Sequence, residues 1–271
     1  QNGSTLCIYL AGDSDTPILE NIQALDSVFP STGAGESRLY WSKGAVASFD
    51  DFAPQESILR TGKPMRLQPG GGRSSSQVMP FFNIGQQNGG IVTVIGWSGE
   101  WAYEAGRTGP GSVLLKAGMA KTHLLLHPGE EIRTPRMLVM FYQGDRWRGQ
   151  NLLRQYILNR HRPTVDGEPM QPPITNGNWG GTSAAVHLDN IRKIVKYDLP
   201  IDYYWIDAEW YGKPGGPGSW AVNVGDWNYK KNVYPQGFKP LSDVLKKSGR
   251  HLMLWFEPER VTEGSWLWDN H

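Results

Sequence analysis

Residues 203–212 read YYWIDAEWYG, and the fold of the C-terminal part of the chain can be worked out from this stretch. The apolar and aromatic run 203–206 is typical of a buried β-strand, and it ends abruptly at Asp207. Glu209 and Trp210 follow at once, so two carboxylates and an indole stand where the strand ends. This pattern predicts a buried strand whose tip presents polar groups to a shared site.

The segments around this stretch alternate between strand and helix patterns. Ile191, Ile194 and Val195 recur at helical spacing, and Gly249 stands where a helix C-cap favours glycine. Alternation of this kind predicts parallel strands joined by helical crossovers. The predicted order is strand ITNGNW (174–179), helix HLDNIRKIVKYD (187–198), strand IDYYWID (201–207), helix PLSDVLKKSG (240–249) and strand HLMLWFE (251–257).

Polar and aromatic residues gather at the carboxyl ends of these three strands, which is where a (β/α)8 barrel builds its active site. A doubly wound sheet is the alternative, but no GxGxxG follows a strand, and PGGGRSS at 69–75 lacks the Lys of a phosphate loop. We therefore predict the first three βα units of a (β/α)8 TIM barrel across 174–271. Its tip residues are Asn178, Trp179, Asp207, Trp255, Glu257 and Glu259.

The first part of the chain, 1–161, is predicted to be a β-sandwich domain, because short strand patterns recur between Gly and Pro turn signals. It ends in a predicted helix at 147–161, and the polar, Pro-rich stretch 162–173 is predicted to be a linker. The predicted strands are LCIYLAG (6–12), SRLYWSKG (37–44), GGIVTVIGWSGEWAYEAG (89–106), GSVLLKAGM (111–119), KTHLLLHPGEE (121–131) and RMLVMFYQG (136–144).

Composition excludes several classes of function. The chain carries 27 Lys and Arg against 26 Asp and Glu, so its net charge of +1 gives no reason to expect a nucleic acid or an anionic membrane as partner. No apolar run approaches the length of about 18 residues that suggests a membrane span. The single cysteine, Cys7, excludes an internal disulfide framework. The 12 tryptophans suit a protein that stacks indoles on sugars, although indoles also build cores.

Several polar residues have a structural alternative. Asp207 can cap the turn that follows its strand, and Glu257 and Glu259 can pair with Arg260. Asp226 and Trp227 are typical of a turn residue and a packed indole. THLLLH (122–127) is predicted to be a strand, in which His123 and His127 would lie about 13 Å apart, at about 3.3 Å per residue, so we expect no metal site.

Longer motifs resemble the family 36 glycoside hydrolases, the α-galactosidases, over nearly the whole chain. The resemblance implies a retaining hydrolase of terminal α-galactosides with an N-terminal β-sandwich, a catalytic barrel and a small C-terminal β domain. The motifs are YWSKGAVASFDDFAPQ (40–55), GGGRSSSQVMPFFN (70–83), IGWSGEWAYEAG (95–106), HPGEEIRTPRMLVMFYQGD (127–145), NGNWGG (176–181), YYWIDAEWYG (203–212) and GDWNYKKNVYPQGFKPLSDVLKKSGRHLMLWFEPERV (225–261).

The resemblance implies sugar-binding residues at matching positions. Asp207 matches the first of two aspartates that grip the galactose 4- and 6-hydroxyls. The family continues with a second Asp, a Gly and a Trp, whereas this chain has Ala208, Glu209 and Trp210. The second aspartate is therefore missing, and Glu209 either reaches the same hydroxyls or contacts a different substituent, such as an amine or N-acetyl group.

Three further residues follow from the resemblance. Trp179 resembles the tryptophan of the pocket, Trp255 resembles the tryptophan of the pocket wall, and Asp51 reaches the site from the sandwich. Both catalytic aspartates of the family are expected beyond His271, so the chain is expected to be a fragment. Trp268-Asp269 resembles the nucleophile motif only superficially, because no strand pattern precedes it.

The predicted ligand is an oligosaccharide or glycoconjugate with a terminal α-galactose-type sugar, with no metal, no cofactor, no nucleic acid and no membrane. The oligomeric state is open, and the resemblance is compatible with a homo-oligomer. An α-N-acetylgalactosaminidase or α-galactosaminidase of the same fold is an alternative. A non-catalytic carbohydrate-binding protein is an alternative from another class, in which the aromatic sandwich would act as a lectin.

Overall fold

The computed structural model describes residues 7–31, 33, 35–213 and 219–271. The contact pattern divides the chain into two units, residues 1–163 and 164–271. The division falls inside the stretch 162–173 that the sequence predicts as a linker. The first residue of the predicted strand LCIYLAG and residues 214–218 lie outside the described residues.

All but one of the regular elements in the described part of the first unit are strands, and these strands pair antiparallel. Its elements are β1 (Cys7–Tyr9), β2 (Gln23–Pro30), β3 (Arg38–Ser42), β4 (Pro54–Ile58), β5 (Met65–Leu67), β6 (Phe81–Gln86), β7 (Gly89–Gly96), β8 (Trp101–Gly109), β9 (Ser112–Met119), β10 (Glu131–Arg133), β11 (Arg136–Gln143) and the helix α1 (Arg146–Arg160).

Two antiparallel sheets share the core of this unit. One has five strands in the order β11-β7-β6-β3-β4, and the other has four in the order β2-β9-β8-β5. Side chains alternate inward along the strands, so Phe82 of β6 stacks on Tyr103 of β8 with ring centroids 3.8 Å apart. Thr93 and Tyr103 add a hydrogen bond of 3.0 Å inside this core. The arrangement is a β-sandwich, as the sequence predicts.

The helix α1 packs on the five-stranded sheet through Leu153, which forms a small cluster with Val92 and Tyr142. Asp145 begins the helix, because its side chain accepts a hydrogen bond from the Arg148 amide. The predicted helix, 147–161, agrees with the observed one to within one residue at each end.

The prediction that THLLLH is a strand is wrong. Residues 122–127 contain one isolated bridge, between Leu19 and Leu124, and no strand. His123 bonds Glu20 and His127 bonds Asp15, both on the neighbouring segment. The hydrogen bond to Asp15 is the main cause of a raised pKa of His127. Among the described residues, no group of three or more His, Cys, Asp or Glu side chains is placed to hold a metal ion.

The second unit begins with a short hairpin that the linker prediction did not include. A three-stranded parallel sheet follows, in the order β14-β15-β16, with β15 at its centre. The elements are β12 (Thr164–Val165), β13 (Glu168–Pro169), β14 (Thr175–Asn178), α2 (Ala184–Lys196), β15 (Tyr203–Ile206), a 3₁₀ turn (Ala221–Asn223), α3 (Lys239–Lys247), β16 (His251–Leu254) and α4 (Trp266–Asn270).

Both crossover helices bury one apolar stripe under the parallel sheet. The helix α2 starts at Ser183, whose side chain accepts from the Val186 amide, and buries Ile191 and Ile194. The helix α3 buries Leu241 and Leu245, one turn apart. It ends as predicted before Gly249, which adopts φ +75°. No helix in the described part of the chain is long and apolar enough to span a membrane.

Candidate functional site

The carboxyl ends of the three parallel strands are level with one another. Asn178, Ile206 and Leu254 end the strands and are paired across the sheet. Trp179, Asp207 and Trp255 are the next residues, and backbone bonds continue the ladder through them: the Asp207 amide donates to Asn178 O at 2.7 Å, and the Trp255 amide to Ile206 O at 2.9 Å. The structure therefore places these three predicted site residues along one edge.

The two carboxylate oxygens of Asp207 have different surroundings at the edge of the sheet. Oδ1 accepts a hydrogen bond of 2.8 Å from the Ala208 amide, so the residue does support the turn after β15. Oδ2 accepts no hydrogen bond from the described part of the chain. The half-buried side chain therefore has one oxygen with which to accept a bond from a ligand.

Glu209 has a backbone conformation that favours glycine. Its φ is +77°, a region that costs a non-glycine residue about 1–3 kcal/mol. Its Oε2 accepts a hydrogen bond of 2.7 Å from Trp179 Nε1, and its Oε1 lies 3.8 Å from Lys230 Nζ. These two contacts offset the cost of the backbone conformation. The hydrogen bond also fixes the position of the Trp179 indole, and Trp179 as a whole is 44% exposed.

Lys230 is a member of the site that the sequence analysis missed. Its side chain is 9% exposed and that of Glu209 is 19% exposed, so the pair is shielded from water more than a surface ion pair is. Its backbone is held as well, because the Lys230 amide donates to Trp210 O at 2.9 Å. In the sequence, Lys230 stands in a polar loop with no periodic pattern, and nothing there relates it to Glu209.

Gly180 joins the tip of β14 to the tip of β15. Its amide donates to Ala208 O at 2.9 Å. A Cβ at this position would lie 2.2 Å from Asp207 O and 2.5 Å from Ala208 O, both of them backbone atoms. Glycine is therefore required here by the close approach of two backbones, and that approach brings Trp179 to Glu209.

The structure corrects the prediction for Trp210. This residue is 3% exposed and belongs to the core of the second unit. Its Nε1 donates to Trp255 O at 2.9 Å, and its ring packs on Phe238 and Phe256. Trp210 therefore packs in the core behind the strand ends, and its ring has no exposed face on which a sugar can stack.

Trp255 lies at the rim of an aromatic cluster and is half-buried. Its ring lies 6.2 Å from that of Tyr211 and 5.9 Å from that of Trp220. Burial raises the pKa of Tyr211 to about 12, and the Glu257 carboxylate adds to this shift. Tyr211 is fully buried and serves here as a packing residue.

The structural alternatives hold for two of the remaining carboxylates. Glu257 binds Arg260 through both oxygens, including a bond of 2.6 Å to Nη2, whereas Glu259 is exposed. Asp226 is buried and accepts a bond of 2.7 Å from the Trp266 amide, at the start of α4. The contact between Glu257 and Arg260 and the contact between Asp226 and Trp266 both fix loops of the second unit.

Asp51 lies in the first unit, where its carboxylate organises its own loop. Oδ1 accepts from the Val46 amide and Oδ2 from the Ala47 amide, each at 3.0 Å. Ala47 has φ +64° and Phe52 has φ +61°, so the carboxylate stabilises a tightly folded turn. A contact of Asp51 with a sugar remains a prediction.

The fold and the strand-tip residues define a class: a β-sandwich followed by parallel βα units with carboxylates at the strand ends. The Melibiase family model matches residues 135–271, and the chain belongs to this family.

The individual proteins that resemble this chain include α-galactosidases. The chain is 25% identical over 210 residues to α-galactosidase Mel36A of Lactobacillus acidophilus, an alignment that covers 74% of this chain and 28% of that protein. The crystal structure of the α-galactosidase from Lactobacillus brevis superposes with a TM-score of 0.79 at 17% identity, covering 98% of this chain and 36% of that one.

A variant of the family 36 α-galactosidase AgaA from Geobacillus stearothermophilus, solved in complex with stachyose, has a TM-score of 0.70 at 20% identity and covers 90% of this chain and 34% of that one. These structures show that the fold is shared. The chain spans about a third or less of each of these relatives.

Proposed function

We propose that this chain is the N-terminal part of a retaining glycoside hydrolase that cleaves terminal α-galactosides, and that its strand-tip site forms one side of the galactose pocket. The observation that carries the proposal is the position of Asp207, with one free carboxylate oxygen, beside Trp179 and Glu209 on the edge of a parallel sheet. Membership of the Melibiase family supports it.

The proposed pocket binds the sugar through hydroxyl groups and one apolar face. Asp207 Oδ2 accepts charge-assisted hydrogen bonds from the 4- and 6-hydroxyls of galactose, as the family resemblance implies. The exposed indole of Trp179 stacks on the apolar face of the ring. Ala208 is buried and occupies the place of the family's second aspartate, so the grip on these hydroxyls rests on fewer carboxylates.

Glu209 is given a supporting role in this proposal. Its two oxygens already face Trp179 Nε1 and Lys230 Nζ. A carboxylate that is committed in this way orients the indole and holds a cation near the pocket. The choice between galactose and a 2-amino or 2-acetamido sugar is therefore not assigned to Glu209, and a plain α-galactoside is the proposed substrate.

The proposed chemistry requires two carboxyl groups about 5–5.5 Å apart. One attacks the anomeric carbon while the other protonates the departing glycosidic oxygen. The second group then removes a proton from water, which displaces the enzyme carboxylate with net retention. We place both aspartates outside the 271 residues, on the remaining βα units that complete the (β/α)8 barrel begun by β14, α2, β15, α3 and β16.

Stachyose in the Geobacillus stearothermophilus complex supports α-galactoside oligosaccharides as the substrate class. The direct test is turnover of a nitrophenyl α-galactoside by the full-length protein, with nitrophenyl α-glucoside and β-galactoside as controls. We expect release of nitrophenol from the α-galactoside alone. Turnover of the α-glucoside in preference, or of none of the three, would contradict the proposal.

A further inference from the structure

A buried histidine connects the core of the second unit to the loop that carries Trp179. His187, on α2, is fully buried with no exposed surface. Its Nδ1 lies 2.9 Å from the Tyr204 hydroxyl, and its Nε2 lies 3.1 Å from the Tyr234 hydroxyl. Tyr204 and Tyr234 are both fully buried as well. The three side chains belong to a helix, a strand and a loop that the sequence does not relate to one another.

The hydrogen bonds of this group have one consistent direction. The Tyr234 hydroxyl lies 2.7 Å from Gly180 O, a carbonyl that can only accept, so Tyr234 donates its proton there. His187 Nε2–H then donates to the Tyr234 oxygen. Burial lowers the pKa of His187 and favours the neutral imidazole, in which Nδ1 accepts from the Tyr204 hydroxyl. Burial also raises the pKa of Tyr234 and keeps its phenol protonated.

The hydrogen bonds of His187 and Tyr234 lead to Gly180, the residue that joins the tips of β14 and β15. Gly180 accepts from Tyr234 on one side and donates to Ala208 O at 2.9 Å on the other. The loop after β14 is therefore held between the buried Tyr234 hydroxyl and the tip of β15. Trp179 precedes this anchored glycine directly, and its indole reaches Glu209 Oε2 at 2.7 Å.

We infer that Tyr234 and His187 are positioning residues for the galactoside site: they hold the Trp179 loop against the tip of β15 without touching the sugar. This inference rests on the proposed function for the identity of the sugar. Loss of the Tyr234 hydroxyl frees Gly180 O and allows the loop to open, which lowers the population of the arrangement that binds. The expected effect is on KM more than on kcat, since the reacting carboxylates are elsewhere.

The test compares Tyr234→Phe with Tyr142→Phe in the full-length protein. Tyr142 is a matched control, because it is buried in the first unit and its hydroxyl donates a single bond of 2.8 Å to Asn83 Oδ1. We expect Tyr234→Phe to raise amide hydrogen exchange in residues 179–182 by about 10-fold, the effect of losing one net hydrogen bond of about 1 kcal/mol or slightly more. KM for a nitrophenyl α-galactoside should rise about 5- to 10-fold, with kcat changed less. Tyr142→Phe should change neither quantity.

Two outcomes separate this inference from the function on which it rests. An active enzyme in which Tyr234→Phe leaves both the exchange of residues 179–182 and KM at the values of Tyr142→Phe overturns the inference. Faster exchange of residues 179–182 in a protein that hydrolyses no α-galactoside supports the anchoring of the loop and overturns the proposed function.

Discussion

At the scale of single residues, Asp207 combines a structural and a proposed binding role in one side chain. Its Oδ1 accepts from the Ala208 amide, while its Oδ2 accepts from nothing in the described part of the chain. The two interpretations that the sequence leaves open, a turn cap and a sugar ligand, are therefore compatible, because each uses a different oxygen.

Asp207→Asn is expected to keep the fold and to weaken catalysis by the full-length protein. Asn retains Oδ1 for the Ala208 amide, but its NH2 group replaces the oxygen that accepts from the two sugar hydroxyls. The NH2 group can donate to a hydroxyl oxygen in return, so we expect a net loss equal to about one charge-assisted bond of about 1.5–3 kcal/mol. We predict a decrease of about 10–100-fold in kcat/KM. Asp202→Asn is the matched control, because Asp202 bonds the Ile174 amide at the opposite end of β15. Unchanged kcat/KM in Asp207→Asn would make Asp207 a turn cap only.

Substitutions of Glu209 and Lys230 are expected to have non-additive effects on the free energy of unfolding. In a Lys230→Met background, Glu209→Gly relieves the strain of φ +77° but removes the bond to Trp179 Nε1, so the two effects should nearly cancel. In the wild-type background the same change also leaves a buried ammonium unpaired, so it should destabilise the protein by about 1 kcal/mol more. Urea unfolding of the four proteins gives the coupling free energy, which we expect to be about 1 kcal/mol. Equal effects of Glu209→Gly in both backgrounds would show that the ion pair contributes nothing.

The sequence predicted the position of Asp207, Trp179 and Trp255 because strand-tip residues follow directly from the alternation of strands and helices. It could not predict the burial of Trp210, since an indole two residues past a strand can face the core or the solvent. Lys230 was missed for a related reason: it meets Glu209 only through the fold of a loop with no periodic pattern.

At the scale of elements, the junction between the tips of β14 and β15 depends on Gly180, and the end of α3 depends on Gly249. Gly180→Ala places a Cβ against two backbone carbonyls, which cannot move without displacing β15. Gly249→Ala meets nothing within 4 Å, and only its φ of +75° is unfavourable.

We therefore predict a loss of about 3 kcal/mol or more for Gly180→Ala, at the upper end of overpacking costs, and of about 1 kcal/mol for Gly249→Ala. Urea unfolding followed by tryptophan fluorescence measures both. Similar losses for the two variants would mean that the loop after β14 shifts freely, and the close approach of the two backbones would then not hold the site together.

Element prediction succeeded where the sequence alternates clearly between strand and helix patterns. The three parallel strands and their two helices all appear close to their predicted bounds, although β14 has no fully buried residue. The strands β2, β4 and β5 were missed, and all three lie at sheet edges, where one side of the strand stays open to solvent and polar residues are tolerated. The central strand β6 was missed because Asn83, buried and bonded by Tyr142, interrupts its apolar pattern.

At the scale of the whole molecule, we propose that substrate recognition lies in this chain and that the reacting carboxylates lie outside it. The alignment with Mel36A covers 28% of that protein, and the parallel sheet in the described residues has three strands where a closed barrel needs eight. Recognition and chemistry would then be contributed by different parts of one barrel.

The 271-residue chain, produced alone, is therefore expected to be inactive on a nitrophenyl α-galactoside. The nucleophile and the general acid together supply most of the rate in sites of this kind. The measurement is turnover by the purified chain, with a parallel purification of the Asp207→Asn variant as the control for contaminating glycosidase. Turnover that Asp207→Asn lowers by about 10-fold or more would place the catalytic pair within these residues.

The proposed function is that of a retaining α-galactosidase whose sugar pocket begins at the tips of β14, β15 and β16. Proton NMR of the first galactose released by the full-length protein tests it most directly, because the anomeric signals distinguish the two products before mutarotation mixes them. We expect the α anomer to appear first, both in the presence and in the absence of a chelator. Initial release of the β anomer would contradict retention, and loss of activity in chelator would contradict a mechanism that needs only two carboxyl groups.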